Sequence, residues 1–234
     1  MKKVTILLIL VVVCMAKGFS QGAYSRVQQQ TLNILLYNDI KRSIPIKAQR
    51  YGNISIGSAY FQEDWMRANV FITDSTVVKN ILVRLDMIKG DLEYRTDNGE
   101  EYICTIPIAY VDLVDSIQNK RYKFLQVSSG AKNKTWYQVL TPDAKITLLK
   151  EFQKEQFDAP VYNTVQSGKE IRTTEKFSVM TNKGPVRVKK FNEITMLMSG
   201  ENAEQLQKYI REKELNAKNE ADLVAVVEYH NTLK

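Results

Sequence analysis

Carboxylate side chains are the residues of this 234-residue sequence whose spacing most invites a catalytic interpretation. Two carboxylates that converge on a substrate can act as general acid and general base. Adjacent residues on a strand point to opposite faces of a sheet, and so do residues three positions apart. We therefore predict solvated surface or turn carboxylates, and no acid-base pair, at Glu63 with Asp64, Glu100 with Glu101, and Asp112 with Asp115.

Histidine and cysteine are too few for most other catalytic sites. The sequence has one histidine and two cysteines, so no Ser-His-Asp triad away from the chain end and none of the multi-ligand sets that zinc or copper sites use can be assembled. His230 lies in an apolar helical stripe and Cys104 in an apolar strand pattern, which predicts packing roles for both. Glycine loops that cradle phosphates are absent. We expect no catalytic residue, no cofactor and no metal.

Aromatic side chains offer a second kind of chemistry, which is stacking on a ligand. Trp65 follows Tyr60 and Phe61 closely, and Trp136 is adjacent to Tyr137. In β-rich folds such residues commonly fill the core or stack across strands, and we favour that interpretation. If they were exposed together, they would form a groove for a sugar or for a partner's apolar patch. Trp65, Trp136 and Tyr137 are therefore the speculative ligand-binding residues.

Residues 1–21 have the pattern of a cleavable signal peptide: a basic start, an apolar run at 4–15, and small residues after it. The apolar run is shorter than the roughly twenty residues that span a bilayer, so no transmembrane anchor is expected after cleavage. Cleavage after Gln21 or slightly earlier removes three lysines and lowers the formal net charge from +7 to +4. It leaves Cys104 as the one cysteine, so we expect no disulfide.

The mature chain divides by pattern into three parts. A segment at 22–56 contains a possible helix at 24–40, a β-rich body follows at 57–198, and a helical tail covers 199–234. Within the body, short β-branched and aromatic runs alternate with turn residues, which indicates an antiparallel meander. The predicted strands are 69–73, 81–86, 92–95, 101–105, 111–118, 122–127, 136–140, 146–152, 177–180 and 186–188.

Two turns and one helix start have recognisable local chemistry. Residues 96–99 (TDNG) and 181–184 (TNKG) tolerate positive φ, so each predicts a tight hairpin. The tail has apolar side chains at helical spacing, with Asn219 as the N-cap of the last helix. We predict a mainly β (α+β) fold: an antiparallel β meander, open or barrel-like, with a C-terminal helical hairpin packed on it.

Five stretches of the chain carry a resemblance to a known family. They are 57–61 (GSAYF), 80–86 (NILVRLD), 91–94 (DLEY), 209–215 (YIREKEL) and 220–231 (EADLVAVVEYHN). The chain resembles uncharacterised secreted, β-rich proteins of Bacteroidota, which have a G-S-P-Y-L-like opening, an L-R-Y-N segment and a C-terminal helix ending in Y-Y-N. It departs from them at Ala59, Leu85, Asp86 and His230. The resemblance implies an envelope or secreted location and no established activity, and it provides no catalytic residue.

Two short patterns suggest O-glycosylation. Residues 74–76 (DST) and 115–117 (DSI) are similar to the sites at which Bacteroidota attach glycans to exported proteins. Ser75 and Ser116 are therefore speculative glycosylation sites. An intact mass of the exported protein equal to that of the cleaved polypeptide would rule this hypothesis out.

The combined pattern predicts an exported envelope protein, located in the periplasm, at the outer membrane or outside the cell. The missing catalytic sets favour a non-catalytic binding or structural module over the alternative, a secreted carboxylate-dependent hydrolase. The expected partner is an envelope protein or a glycan. Nucleic acid is not expected, because the basic residues are scattered and form no stripe.

Overall fold

A mostly antiparallel sheet of twelve strands is the main element among the residues that the structure describes. The computed structural model describes residues 43–46, 50–52, 54–72, 76–129, 133–142, 145–160, 167–197 and 202–233. The chain divides after Ser43, and every element below belongs to the unit Ile44–Lys234. The predicted signal peptide and the predicted helix at 24–40 lie outside the described residues.

The sheet is open, with β1 and β12 at its two ends. The strand order is β1-β6-β5-β4-β3-β7-β8-β9-β10-β11-β12, and β2 adds to β11 as a parallel partner. This arrangement confirms the predicted mainly β fold, and of the two forms that the sequence left open, open or barrel-like, the structure has the open sheet. The strands are β1 (Ile44–Pro45), β2 (Ile54–Ile56), β3 (Met66–Phe71), β4 (Val77–Leu85), β5 (Leu92–Arg95), β6 (Glu101–Ile103), β7 (Tyr110–Asp115), β8 (Lys120–Ser129), β9 (Asn133–Val139), β10 (Leu148–Pro160), β11 (Ser167–Thr181) and β12 (Gly184–Val188).

Both hairpins predicted from turn residues are present. The β5–β6 turn contains Gly99 at φ 87°, and the β11–β12 turn ends at Gly184 with φ 109°. The alternation of buried and exposed residues along β3 places Met66, Ala68 and Val70 in the core. Local turn chemistry and period-two alternation therefore account for these strands.

The longest pairing in the sheet was only partly predicted. Strands β10 and β11 pair antiparallel from Leu148 to Pro160, whereas the sequence predicted a strand that ends at Phe152. The residues of β10 beyond Phe152 begin with QKEQFD, which lacks the apolar alternation that indicates a strand. Several of their partners on β11 are polar as well. The pairing with β11, rather than a buried face, keeps this part of β10 extended.

Within the described part of the chain, three helices follow β12: α1 (Phe191–Leu197), α2 (Ala203–Glu212) and α3 (Glu220–Thr232). The predicted helical hairpin is α2 with α3, and the Asn219 side chain caps α3 by accepting the backbone N–H of Ala221. Helix α1 was not predicted. The buried core shared by helices and sheet consists of Leu148, Val179, Val188, Ile194, Leu206, Leu223, Val226 and Val227.

No helix in the described part of the chain is long and apolar enough to cross a membrane. The same part contains no disulfide, and Cys104 lies half-buried just after β6, with its Sγ 3.9 Å from the carbonyl oxygen of Ile106.

Residues 54–61, which we call the strap, cross between two distant strands of the sheet. At one end of the strap, β2 pairs with β11; at the other, Tyr60 pairs with Asp86, and the N–H of Phe61 donates to the carbonyl of Leu85 at 3.0 Å. Five strands separate β4 from β11 in the sheet order. The strap therefore ties together parts of the sheet that are not neighbours.

Side chains from the strands between these two points hold the middle of the strap. The Lys154 ammonium on β10 donates to the carbonyls of Ser58 at 2.8 Å and Tyr60 at 2.6 Å. Burial lowers the pKa of Lys154, and the nearby charge of Glu63 opposes this effect. The Phe61 ring lies 4.8 Å from the Phe124 ring on β8, in an edge-to-face arrangement that favours close packing.

Gly57 is required where the strap approaches β11. Its φ is 81°, and a Cβ at this position would lie 2.2 Å from the carbonyl oxygen of Ile171. We expect Gly57→Ala to lower the free energy of unfolding by about 3 kcal/mol, since it adds a backbone clash to the cost of left-handed φ. Urea titration followed by tryptophan fluorescence measures this loss.

Gly99→Ala is the matched control, because φ at Gly99 is 87° and a Cβ there would have nothing within 4 Å. This variant should lose only about 1 kcal/mol, the cost of the backbone conformation alone. Equal losses for the two variants would show that the strap does not approach β11 as described.

Candidate functional site

A cavity of about 620 Å³ lies beside the strap and the β4–β6 strands. Ser58 and Tyr60 of the strap line one part of it, and Arg84 of β4 and Glu101 of β6 line another. The remaining wall includes Arg50 and Tyr51, which precede the strap in the sequence, with Ile46, Ile54, Gly57 and Glu63. Charged, hydroxyl-bearing and apolar side chains therefore meet at one concave surface, which is the usual form of a small-molecule site.

Glu93 on β5 lies at the centre of the charges beneath this cavity. Its side chain is fully buried, and it faces Arg84 directly across the β4–β5 ladder. Arg84 donates to Oε2 of Glu93 from Nε at 3.1 Å and from Nη2 at 2.7 Å. Nη1 of Arg50 donates to Oε1 at 2.9 Å, and the Tyr60 hydroxyl donates to the same oxygen at 3.3 Å. Two guanidiniums and a phenol thus satisfy this buried carboxylate.

Arg50 joins three carboxylates. Besides Glu93, its guanidinium contacts Asp91 at 2.7 Å and Asp86 at 3.2 Å, and its side chain is only 11% exposed. Burial lowers the pKa of Arg50, but hydrogen bonds to Asp91 and Glu93 outweigh burial, so the net pKa is raised. Arg50 therefore stays charged and fixes the chain just before the strap to the turn between β4 and β5.

Asp86 holds that turn and also positions Tyr51. Its carboxylate accepts the backbone N–H groups of Ile88 at 3.0 Å and Lys89 at 2.8 Å, and it accepts the Tyr51 hydroxyl at 2.7 Å. Burial raises the pKa of Asp86, although these hydrogen bonds and Arg50 act in the opposite direction. Burial and the bond to Asp86 raise the pKa of Tyr51, so its phenol remains a donor.

Aromatic rings fix the orientation of Arg84. Its Cζ lies 3.8 Å from the centroid of the Tyr60 ring and 4.6 Å from that of Trp65. Arg95 also lies 4.5 Å from the Trp65 centroid, and it pairs with Glu101. Cation–π contacts and the ion pair with Glu93 thus hold the guanidinium of Arg84 in one geometry.

The three aromatic residues predicted as ligand-binding are in different environments. Trp136 is 2% exposed, and its Nε1–H donates to the carbonyl of Asp91 at 3.2 Å, so its ring supports the site from within the core. Trp65 is half-buried against Arg84 and Arg95. Tyr137 is half-buried on β9, where burial raises its pKa. The structure does not bring these three rings together in the cavity described above.

Of the carboxylate pairs considered in the sequence, Glu63 with Asp64 and Glu100 with Glu101 each contribute one residue to the cavity wall. These residues are Glu63 and Glu101. Glu63 accepts the hydroxyl of Ser58, and Glu101 pairs with Arg95. Asp112 and Asp115 occupy β7 three positions apart, where Asp115 accepts the backbone N–H groups of the following turn. The site therefore contains two carboxylates that were not paired in sequence.

Ser116 and His230 do not line the cavity. Ser116 is exposed in the turn after β7, and Ser75 lies outside the described residues. His230 lies in the last turn of α3. Within the described ranges, no group of three or more His, Cys, Asp and Glu side chains is arranged to hold a metal ion.

Sequence reasoning missed the buried ion pairs, although one signal was present. Arg84 and Asp86 interrupt the apolar run ILVRLD, and Glu93 interrupts LEY in the next strand. A charge inside an apolar strand must find a partner when that strand is buried, and hairpin pairing places Arg84 opposite Glu93. Arg50 offered no such signal, because its contacts join residues 36 to 43 positions apart.

Removal of the Glu93 charge should destabilise the site strongly. We expect Glu93→Gln to lower the free energy of unfolding by about 3–5 kcal/mol, because Arg50 and Arg84 then keep buried charge without their shared partner. Glu101→Gln is the matched control, since its ion pair with Arg95 is partly exposed and worth about 0–1 kcal/mol. Urea titration of both variants measures the difference, and equal losses would contradict a central role for Glu93.

Comparison with known proteins adds no relative: the sequence matches no family model and no curated protein, and no solved structure matches the fold.

Proposed function

We propose that the chain is an exported, non-catalytic binding module of the cell envelope and that its binding site is the cavity beside the strap. The observation that carries this proposal is the cavity itself, whose polar wall is fixed before binding by buried ion pairs. A pocket of about 300–1,000 Å³ with a few positioned polar groups is typical of small-molecule sites. The volume of about 620 Å³ falls in that range.

The charges at the site favour binding over catalysis. The two arginines of the site bind three carboxylates, so these hydrogen bonds stabilise the fold. The arginines are Arg50 and Arg84, and the carboxylates are those of Asp86, Asp91 and Glu93. An acid or base that works on a substrate needs a proton that can move. Export and an envelope location are proposed on the signal-peptide pattern and the resemblance to secreted proteins of Bacteroidota.

One observation favours the alternative, a secreted carboxylate-dependent hydrolase. Glu63 and Glu101 come from different segments and line the same cavity, which is the placement that a pair of catalytic carboxylates requires. Both are engaged, with Ser58 and Arg95 respectively. We therefore rank the hydrolase second. This alternative requires that the wild-type protein converts a ligand of the cavity to a product and that the Glu101→Gln variant does not.

An envelope component retained by the immobilised protein should be lost when the cavity is filled. Ile54→Arg puts a long cationic side chain into the cavity wall, and Ile117→Arg makes the same change at a turn residue that is 92% exposed. Affinity capture from an envelope extract, read by mass spectrometry and carbohydrate analysis, compares both variants with the wild type. Thermal unfolding checks that each variant is folded.

We expect the component to be retained by the wild type and by Ile117→Arg and to be absent from Ile54→Arg. Equal retention by all three proteins would place binding elsewhere on the surface. A column that retains nothing would contradict the binding function.

A further inference from the structure

We infer that the ligand of this cavity is a neutral saccharide. The inference rests on the proposed binding function and names the chemical class of the ligand. It follows from three properties of the cavity wall: its charge, the fixed orientation of its polar groups, and the mixture of hydroxyl-binding and apolar surface.

The charge of the wall excludes a strongly ionic ligand. Arg50 and Arg84 contribute positive charge, but both are bound to buried carboxylates, and Glu63 and Glu101 add negative charge to the same surface. An anion would meet the two glutamates, and a cation would meet the two arginines. Because like charges at close range oppose binding, the site suits a molecule without net charge.

The polar groups are held in place before the ligand arrives. Arg84 is fixed by Glu93 and by the Tyr60 ring, and its bonds to Glu93 use Nε and Nη2. Its Nη1 has no protein acceptor among the residues that the structure describes. A guanidinium that is already ordered can donate to a ligand hydroxyl without losing further side-chain entropy.

Acceptors and hydroxyls complete the polar part of the wall. Glu63 and Glu101 supply carboxylate oxygens, and Ser58 and Tyr51 supply hydroxyls. A saccharide hydroxyl donates one hydrogen bond and accepts others, so it needs donors and acceptors side by side. The combination of guanidinium, carboxylate and hydroxyl groups meets that need within one cavity.

Apolar surface lies next to these groups. Ile46 and Ile54 line the cavity as well. A sugar ring carries C–H surface between its hydroxyls and can pack on such apolar side chains. A lipid would require a wall that is mainly apolar, and the ring of charged and hydroxyl groups around the cavity opposes it.

The test begins with an immobilised array of neutral and acidic oligosaccharides, probed with the exported protein. Isothermal titration calorimetry then measures the dissociation constant for the neutral oligosaccharide that binds best. We compare the wild type with the double variant E63Q/E101Q, which keeps the shape of the wall but removes two negative charges and replaces one acceptor oxygen of each carboxylate by an amide donor. Glu155→Gln, an exposed position on β10, is the control.

We expect the double variant to bind at least about tenfold more weakly, because each carboxylate acceptor makes a charge-assisted bond to a hydroxyl. Glu155→Gln should leave the dissociation constant unchanged. A change below about twofold between about 50 and about 500 mM salt should show that the ligand is uncharged.

Three results would overturn the inference: no array binding, preference for acidic glycans with a steep salt dependence, or full affinity in the double variant. If no oligosaccharide on the array binds but the cavity still captures a component of the envelope extract, the binding function is supported and the saccharide inference is wrong. If the protein releases new reducing ends from an oligosaccharide, the ligand is a saccharide and the function is that of the hydrolase.

Discussion

The buried carboxylate of Glu93 is the constraint on which the rest of the structure depends. A fully buried charge is tolerated only with close partners, and Glu93 receives hydrogen bonds from Arg50, Arg84 and Tyr60. These partners come from the chain before the strap, from β4 and from the strap itself. The requirement to satisfy one carboxylate therefore fixes three segments against the same point of the sheet, and the cavity forms where they meet.

The sheet and the strap have separate tasks in this arrangement. The sheet holds one side of the cavity in place. Cross-strand pairing sets Arg84 opposite Glu93, and the indole N–H of the core residue Trp136 donates to the carbonyl of Asp91, at the end of the turn between β4 and β5. The strap closes one side of the cavity, held by Lys154 and by the close approach of Gly57 to Ile171. A connecting segment over a rigid scaffold can vary in sequence without loss of the core.

Much of the fold could be predicted from local sequence, and most of the site could not. Turn residues and alternation identified the β5–β6 and β11–β12 hairpins, and Asn219 identified the start of α3. The far part of β10 was missed because its residues are mostly polar and lack apolar alternation, and its strand form depends on the pairing with β11. The site depends on contacts of Arg50 with residues distant in sequence, and no local pattern encodes such contacts.

Native-state hydrogen exchange of the strap tests the central claim most directly. The amide of Phe61 donates to Leu85 at 3.0 Å, and that of Met87 donates to the strap at Ala59 at 2.9 Å. If the ion pairs of Glu93 hold the strap as part of the sheet, both amides should exchange as slowly as those of central β4, through global unfolding. Exchange at the rate of an exposed loop would show that the strap opens independently, and the cavity would then not be a preformed site.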